Sequence, residues 1–159
     1  MGVKIILLTH ERELDRPSNT GSLAIGVAGG DCDIVRRVVW NRTAPNQELL
    51  SEIANENCGL LYPVTEVEGY EVEIADCEQF ILLDATWQEA RKMYNRSSYL
   101  RTVPRVRLRP QQKSRFRLRR NQKESGLCTA ECIIEVLRKK GRQEYADEVE
   151  RLFLAFNKK

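Results

Sequence analysis

The sequence predicts one α/β domain in which helices flank a largely parallel sheet, and three observations predict it. Val3-Lys4-Ile5-Ile6-Leu7-Leu8 and Phe80-Ile81-Leu82-Leu83 are near-continuous apolar runs rather than alternating ones, as strands covered on both faces require. Segments of helical period fall between such runs. The 159 residues suit a single core, and no internal repeat, low-complexity tract or Pro/Gly linker marks a boundary within them.

Val3 to Thr9 reads as the first buried strand. The polar loop Arg16-Pro17-Ser18-Asn19-Thr20-Gly21 follows, and Ser18, Asn19 and Thr20 can each cap a short helix running through Ala28. Gly29-Gly30-Asp31 stops that helix, and Ile34 to Trp40 is a second strand. Pro45-Asn46-Gln47-Glu48 opens a helix with Leu49, Leu50 and Ile53 as its apolar stripe. Gly59 to Tyr62 is a short third strand ended by Pro63, and Gln79 to Leu83 is a fourth, bounded by Asp84. Thr86 to about Asn95 is rich in helix formers. Arg105-Val106-Arg107-Leu108-Arg109 and Arg115-Phe116-Arg117-Leu118-Arg119 then alternate with period two, which predicts strands with one apolar and one guanidinium face. After Gly126 comes a helix through about Lys140 with Ile133, Ile134 and Leu137 at helical spacing, and Gly141 terminates it. The last helix, Gln143 to Phe156, buries Val149, Leu152, Phe153 and Phe156.

Composition narrows the function classes. No apolar run approaches the roughly 20 residues that span a bilayer, so no membrane association is expected. The five cysteines are scattered, no Cys-x-x-Cys exists and His10 is the sole histidine, so no metal site is expected. Unpaired thiols suit a reducing compartment, which points to the cytoplasm. The net charge of +3 conceals a segregation: residues 90–123 hold 13 of the 26 Lys and Arg and no acid, against 13 basic and 23 acidic residues elsewhere. Such a face is either a solvated surface or the docking surface for a polyanion. The complete absence of acids favours the polyanion, because a merely soluble surface mixes signs. No exposed apolar stripe can be assigned, so the sequence leaves the oligomeric state open.

Ligands of parallel sheets bind beyond the C-terminal strand ends. That directs attention to three loops: Tyr62-Pro63, Asp84-Ala85-Thr86-Trp87 and Gly126-Leu127-Cys128-Thr129. In the second, a buried strand ends at a carboxylate, followed by a hydroxyl that can cap the next helix and by an indole. Two readings stand side by side. In one, Thr86 caps, Asp84 complements the helix dipole and Trp87 packs in the core. In the other, carboxylate and indole receive a cationic, adenine-bearing ligand.

Leu82-Leu83-Asp84-Ala85-Thr86-Trp87-Gln88-Glu89-Ala90-Arg91-Lys92-Met93 resembles the signature of the DTW-domain family, named for Asp-x-Thr-Trp. Further segments follow in the family's order. They are Leu8 to Glu13, Arg16 to Gly21, Leu61-Tyr62-Pro63, Ser97 to Leu100, Ser114 to Arg120 and Leu127 to Glu131. The resemblance covers most of the chain. It implies a tRNA-uridine aminocarboxypropyltransferase and kinship with the SPOUT superfamily, whose α/β fold ends in a C-terminal trefoil knot. It also implies one DTW domain over residues 1–159. Relatives commonly carry an N-terminal cysteine cluster; this chain starts at the first strand without one, so any RNA contact made there is expected to be absent or supplied otherwise.

On that resemblance, N3 of a tRNA uridine attacks the sulfonium-linked carbon of the amino-acid arm of S-adenosylmethionine, and methylthioadenosine leaves. Asp84 is the expected base or uracil-orienting group; an ordinary carboxylate is a weak base, so the first role asks for partial burial. The expected donor contacts are Leu61, Tyr62, Pro63, Thr86, Trp87, Cys128, Thr129 and Glu131. Of these, Cys128 reads first as a small buried side chain, and Thr129 and Glu131 sit where a helix opening presents free amides. His10, Arg12, Asn19, Thr20, Arg91, Arg96, Arg105, Arg107, Arg109, Arg115, Arg117 and Arg119 are the expected RNA contacts, because structured RNA is read largely through shape and phosphates. A SPOUT-type methyltransferase using the same donor, and a non-catalytic RNA-binding module, are the competing readings.

Overall fold

The computed structural model describes residues 3–17, 19–25, 34–55, 57–61, 71–106 and 129–157. Six strands, β1 (Lys4–Thr9), β2 (Val35–Val39), β3 (Cys58–Leu61), β4 (Glu71–Val72), β5 (Gln79–Asp84) and β6 (Arg105–Val106), form one sheet in the order β2-β1-β5-β3-β6-β4. Every pairing is parallel. The helices are α1 (Gly21–Ile25), α2 (Gln47–Asn55), α3 (Trp87–Arg96), α4 (Thr129–Lys139) and α5 (Gln143–Asn157).

Helices cover both faces of the sheet, which is why its central strands carry near-continuous apolar runs. Alternate residues of each strand point to opposite sides. Ile5, Leu7, Phe80 and Leu82 pack with Ala24 of α1, Cys132, Ile133 and Val136 of α4 and Val149 of α5. Ile6, Leu8, Ile81 and Leu83 pack with Leu49 of α2 and Ala90 and Met93 of α3. The register Leu7↔Leu82 and Leu8↔Leu83 keeps each layer continuous across the sheet.

The helix ends follow local chemistry. Asn46 Oδ1 accepts from the Leu49 amide at 2.9 Å to open α2. α4 closes in a Schellman turn: the Arg142 amide donates to Leu137 O at 2.8 Å and the Gly141 amide to Arg138 O at 3.2 Å. Gly141 takes φ 81°, a conformation that favours glycine.

The parallel α/β class and its main elements match the sequence expectations, with some differences. β4 and the 3-10 turns at Glu11–Glu13, Ile74–Asp76 and Ser98–Thr102 are not among those expectations; such short elements show no period. The third strand starts one residue earlier than expected, at Cys58. Of the first alternating segment, Arg105 and Val106 form β6, with Val106 buried. Its remainder and the strand expected at Arg115–Arg119 lie outside the described residues, and those described do not show the expected C-terminal knot.

Candidate functional site

β1 and β5 are neighbours, and the chain leaves them in opposite directions. From β1 it passes through α1 on one face to β2; from β5 it passes through α3 on the other face to β6. Such divergence marks the C-terminal ends of the two strands as a switch point, the usual ligand position in open α/β sheets. Thr9 and Asp84 are register partners at those ends. The His10 amide donates to the Asp84 carbonyl at 3.1 Å, extending the pairing by one residue.

Asp84 points to the α1/α4 face and is 1% exposed. Its Oδ1 accepts from Asn19 Nδ2 and from Thr129 Oγ1, each at 3.0 Å. Its Oδ2 accepts from Thr9 Oγ1 at 3.0 Å, Asn19 Nδ2 at 3.2 Å and Arg37 Nη2 at 3.4 Å. A carboxylate withdrawn from water is tolerable only when paired and hydrogen-bonded, and this one is both. One group thus ties together β1, the loop before α1, β2 and the first residue of α4.

The partners are set locally. Arg36 and Arg37 are consecutive in β2 and therefore face opposite sides. Arg36 reaches Glu48 and Glu52 on α2, while Arg37 reaches Asp84, Thr9 and Ser22. Asn19 Oδ1 accepts from the Ser22 amide at 3.1 Å and caps α1. Thr20 Oγ1 accepts from the Ala130 amide at 3.0 Å, satisfying a free donor of the first turn of α4. Gly21 lies close beneath; a Cβ there would stand 3.1 Å from Asp84 Oδ2, Leu7 Cδ1 and Thr129 Cγ2.

A second polar cluster adjoins the first. Asn19 Nδ2 also donates to Glu13 Oε1 at 2.9 Å. Arg16 hydrogen-bonds Glu13 and grips Glu89 with two bonds of 2.8 Å. Glu89 and Thr86 form a capping box at the start of α3, with Thr86 Oγ1 accepting from the Glu89 amide and Glu89 Oε1 from the Thr86 amide. Burial on its own would raise the Glu89 pKa, but the Arg16 hydrogen bonds, the Thr86 amide and the nearby charges hold it down at about 2. Arg16 is raised above the usual arginine value, chiefly by its bond to Glu89. The loop from His10 to Gly21 is thereby fastened to both ends of the Asp84–Thr86 turn.

The structure gathers Asp84, Asn19, Thr20 and Thr129 into one cluster, with Leu61 on the same face at the end of β3. Glu131 is buried in the first turn of α4. Thr86 is the helix cap. Asn19 and Thr20, expected as RNA contacts, are 6% and 3% exposed and form the frame of the site instead, because their polar groups are consumed by Asp84, Glu13 and the helix starts. Arg12, Arg91 and Arg96 are exposed; His10 and Arg105 are half-buried. The side chain of Trp87, together with Tyr62, Pro63, Cys128, Arg107, Arg109, Arg115, Arg117 and Arg119, lies outside the described residues. Arg37, Thr9, Glu13, Arg16 and Glu89 are members of the site that sequence reasoning did not single out. For Arg37 a signal existed: paired arginines in a strand otherwise made of valines need partners on both faces. Burial pushes the Cys132 thiol up to about 12, which makes it inert packing rather than a nucleophile.

Fold and site together define an α/β protein with a buried, fully bonded carboxylate at the switch point of a parallel sheet. The DTW domain model matches residues 1–159, the whole chain. The chain therefore belongs to the DTW domain family, the family of tRNA aminocarboxypropyltransferases. No solved structure matches it. Among the described residues, no helix is long and apolar enough to cross a membrane.

Proposed function

We propose that this protein transfers the 3-amino-3-carboxypropyl group of S-adenosylmethionine to N3 of a uridine in tRNA. The observation that carries this reading is the convergence of three family motif segments, Asn19-Thr20-Gly21, Asp84-Ala85-Thr86 and Thr129, on the Asp84 carboxylate at the switch point.

The residues present fit such a donor. Leu61 closes the buried apolar layer at the end of β3, on the same face as Asp84 and the first turn of α4 with Thr129 and Glu131. These residues would hold it. When bound, S-adenosylmethionine supplies an activated carbon beside a positively charged sulfur. The protein's own part is then orientation and control of the N3 proton. Oδ1 of Asp84 is the oxygen open to exchange, because Thr129, one of its two donors, is only half-buried. A uracil N3–H replacing the Thr129 hydroxyl there would be aligned by a carboxylate whose geometry Asn19, Thr9 and Arg37 maintain. The capping box at Thr86 and the Arg16–Glu89 pair keep that turn from shifting. Pre-set geometry of this kind removes reorganisation at the moment of reaction.

Intact-mass analysis of unmodified tRNA incubated with protein and S-adenosylmethionine tests the reading. The expected result is a gain of the aminocarboxypropyl mass on a uridine, lost in Asp84→Asn. A methyl gain would instead indicate a methyltransferase, and tRNA binding with no gain would indicate an RNA-binding module.

A further inference from the structure

On the other side of the same sheet edge, facing α3, lies a cleft of about 480 Å³ that the chemistry above does not use. His10 and Trp40, the residues that follow β1 and β2, form its aromatic wall, with ring centroids 5.8 Å apart and planes at 26°. Trp40 is locked in place by its indole N–H, which donates to Ser97 Oγ at 2.8 Å. Arg12, Arg42, Lys92 and Arg96 line the cleft with four positive charges. Of the two carboxylates there, Glu89 is ion-paired with Arg16, which also bonds Glu13, and lies 3.8 Å from His10 Nδ1, so four cations face two carboxylates of which one is already paired.

Two features separate this cleft from an ordinary solvated face. The first is unmatched charge. Arg16, Arg36, Arg37, Arg138 and Arg151 all have carboxylate partners, whereas none of the four cleft cations has one among the described residues. A surplus of cations around one concavity raises the local potential for an anion. The second is an oriented donor. His10 Nδ1 accepts the Arg12 amide at 3.2 Å, so in the neutral ring the proton sits on Nε2, which has no partner among the described residues. The volume is that of a small-ligand pocket.

We propose that this cleft seats one nucleotide of the RNA: the cations take its phosphate and His10 Nε2–H, backed by Trp40, takes the nucleoside. The proposal rests on the tRNA reading and adds the place where the substrate strand is gripped. Because the His10 amide is bonded to the Asp84 carbonyl, a nucleotide here lies one strand-end away from the Asp84 carboxylate, on the opposite face of the sheet from α4. The strand would then cross the C-terminal ends of β1 and β5, with this nucleotide on the α3 side and the target uracil reaching Asp84 Oδ1 on the α4 side.

His10 is the only histidine in the chain, so its ring resonances report this cleft without ambiguity. The test follows them by NMR in the full chain at constant pH, on adding uridine 5′-monophosphate, uridine, inorganic phosphate or unmodified tRNA. The nucleotide and tRNA should shift them saturably, and uridine or phosphate alone should need on the order of tenfold higher concentration, equivalent to losing one good contact. The Arg42→Ser/Lys92→Ser pair should abolish the nucleotide response and lower the slope of log tRNA affinity against log salt by about 1 to 2. Its unliganded His10 signals serve as the folding control, and Arg96→Gln, at an exposed position, is the independent second variant. His10 signals unmoved at saturating tRNA would overturn the proposal while leaving the transferase reading to the mass experiment. An equal response to phosphate alone would overturn it too, by reducing the cleft to an anion site. Shifts with both nucleotide and tRNA but no mass gain on tRNA would uphold the cleft and sink the transferase reading.

Discussion

Replacing Glu89 by Gln isolates one charge in the frame of the site. Glutamine can still complete the capping box with Thr86, so the helix start is retained while the ion pair with Arg16 is lost. The Glu89 carboxyl lies at about 2 instead of 4.5. A depressed folded-state pKa contributes stability that is fully present above the unfolded value and is lost as pH falls through the folded one. The contribution should therefore be complete above about pH 5 and fade toward pH 2. The interval between the two values corresponds to about 3 kcal/mol at pH 7 and about 1 kcal/mol at pH 3. For a domain of this size the neutral-pH loss amounts to a fall of about 6–12 °C in Tm. Urea unfolding of wild type and Glu89→Gln at both pH values measures it, with the midpoint expected to move and the slope to stay constant. A loss of equal size at pH 7 and pH 3, or one well under about 1 kcal/mol at pH 7, would refute the assignment of this stability to the Arg16–Glu89 pair.

Asp84→Asn should abolish transfer and also cost about 3 kcal/mol in urea unfolding, since an amide cannot match Arg37 or accept from all four donors in a buried setting. Gly21→Ala should cost about 1–3 kcal/mol, because its Cβ would crowd Asp84, Leu7 and Thr129 at 3.1 Å. Transfer by that variant should fall further than its folded fraction, which steady-state rates compared with circular dichroism will show. Gly59→Ala presses on Val106 and on Cys77 Sγ at 2.8 Å, away from the site. It should lower Tm by an amount corresponding to about 1–3 kcal/mol while the rate per folded molecule stays at the wild-type value. Binding of tRNA should weaken steeply between 50 and 200 mM salt by about 10³-fold or more if six or more phosphates are contacted, as a filter-binding series will measure.

Much of the frame was legible in the amino-acid order, because its causes are local. Ile5 to Leu8 and Phe80 to Leu83 declare strands covered on both sides, and the Thr86 hydroxyl ahead of a run of helix formers declares a helix start. Gly141 marks a helix end by its own backbone freedom. Asp84 stood out because a carboxylate closed a buried strand. What it touches did not. The bonds from Asn19, Arg37 and Thr129 span tens of residues in the chain and depend on strand order, which no local period encodes. Only the packed sheet turned Asn19 and Thr20 from surface candidates into buried struts, and only it placed β1 beside β5 with their helices on opposite faces. The sequence by itself determined which residues prefer strand, helix and cap. The tertiary structure decided which distant side chains meet, because a buried charge must find its partners wherever the topology brings them.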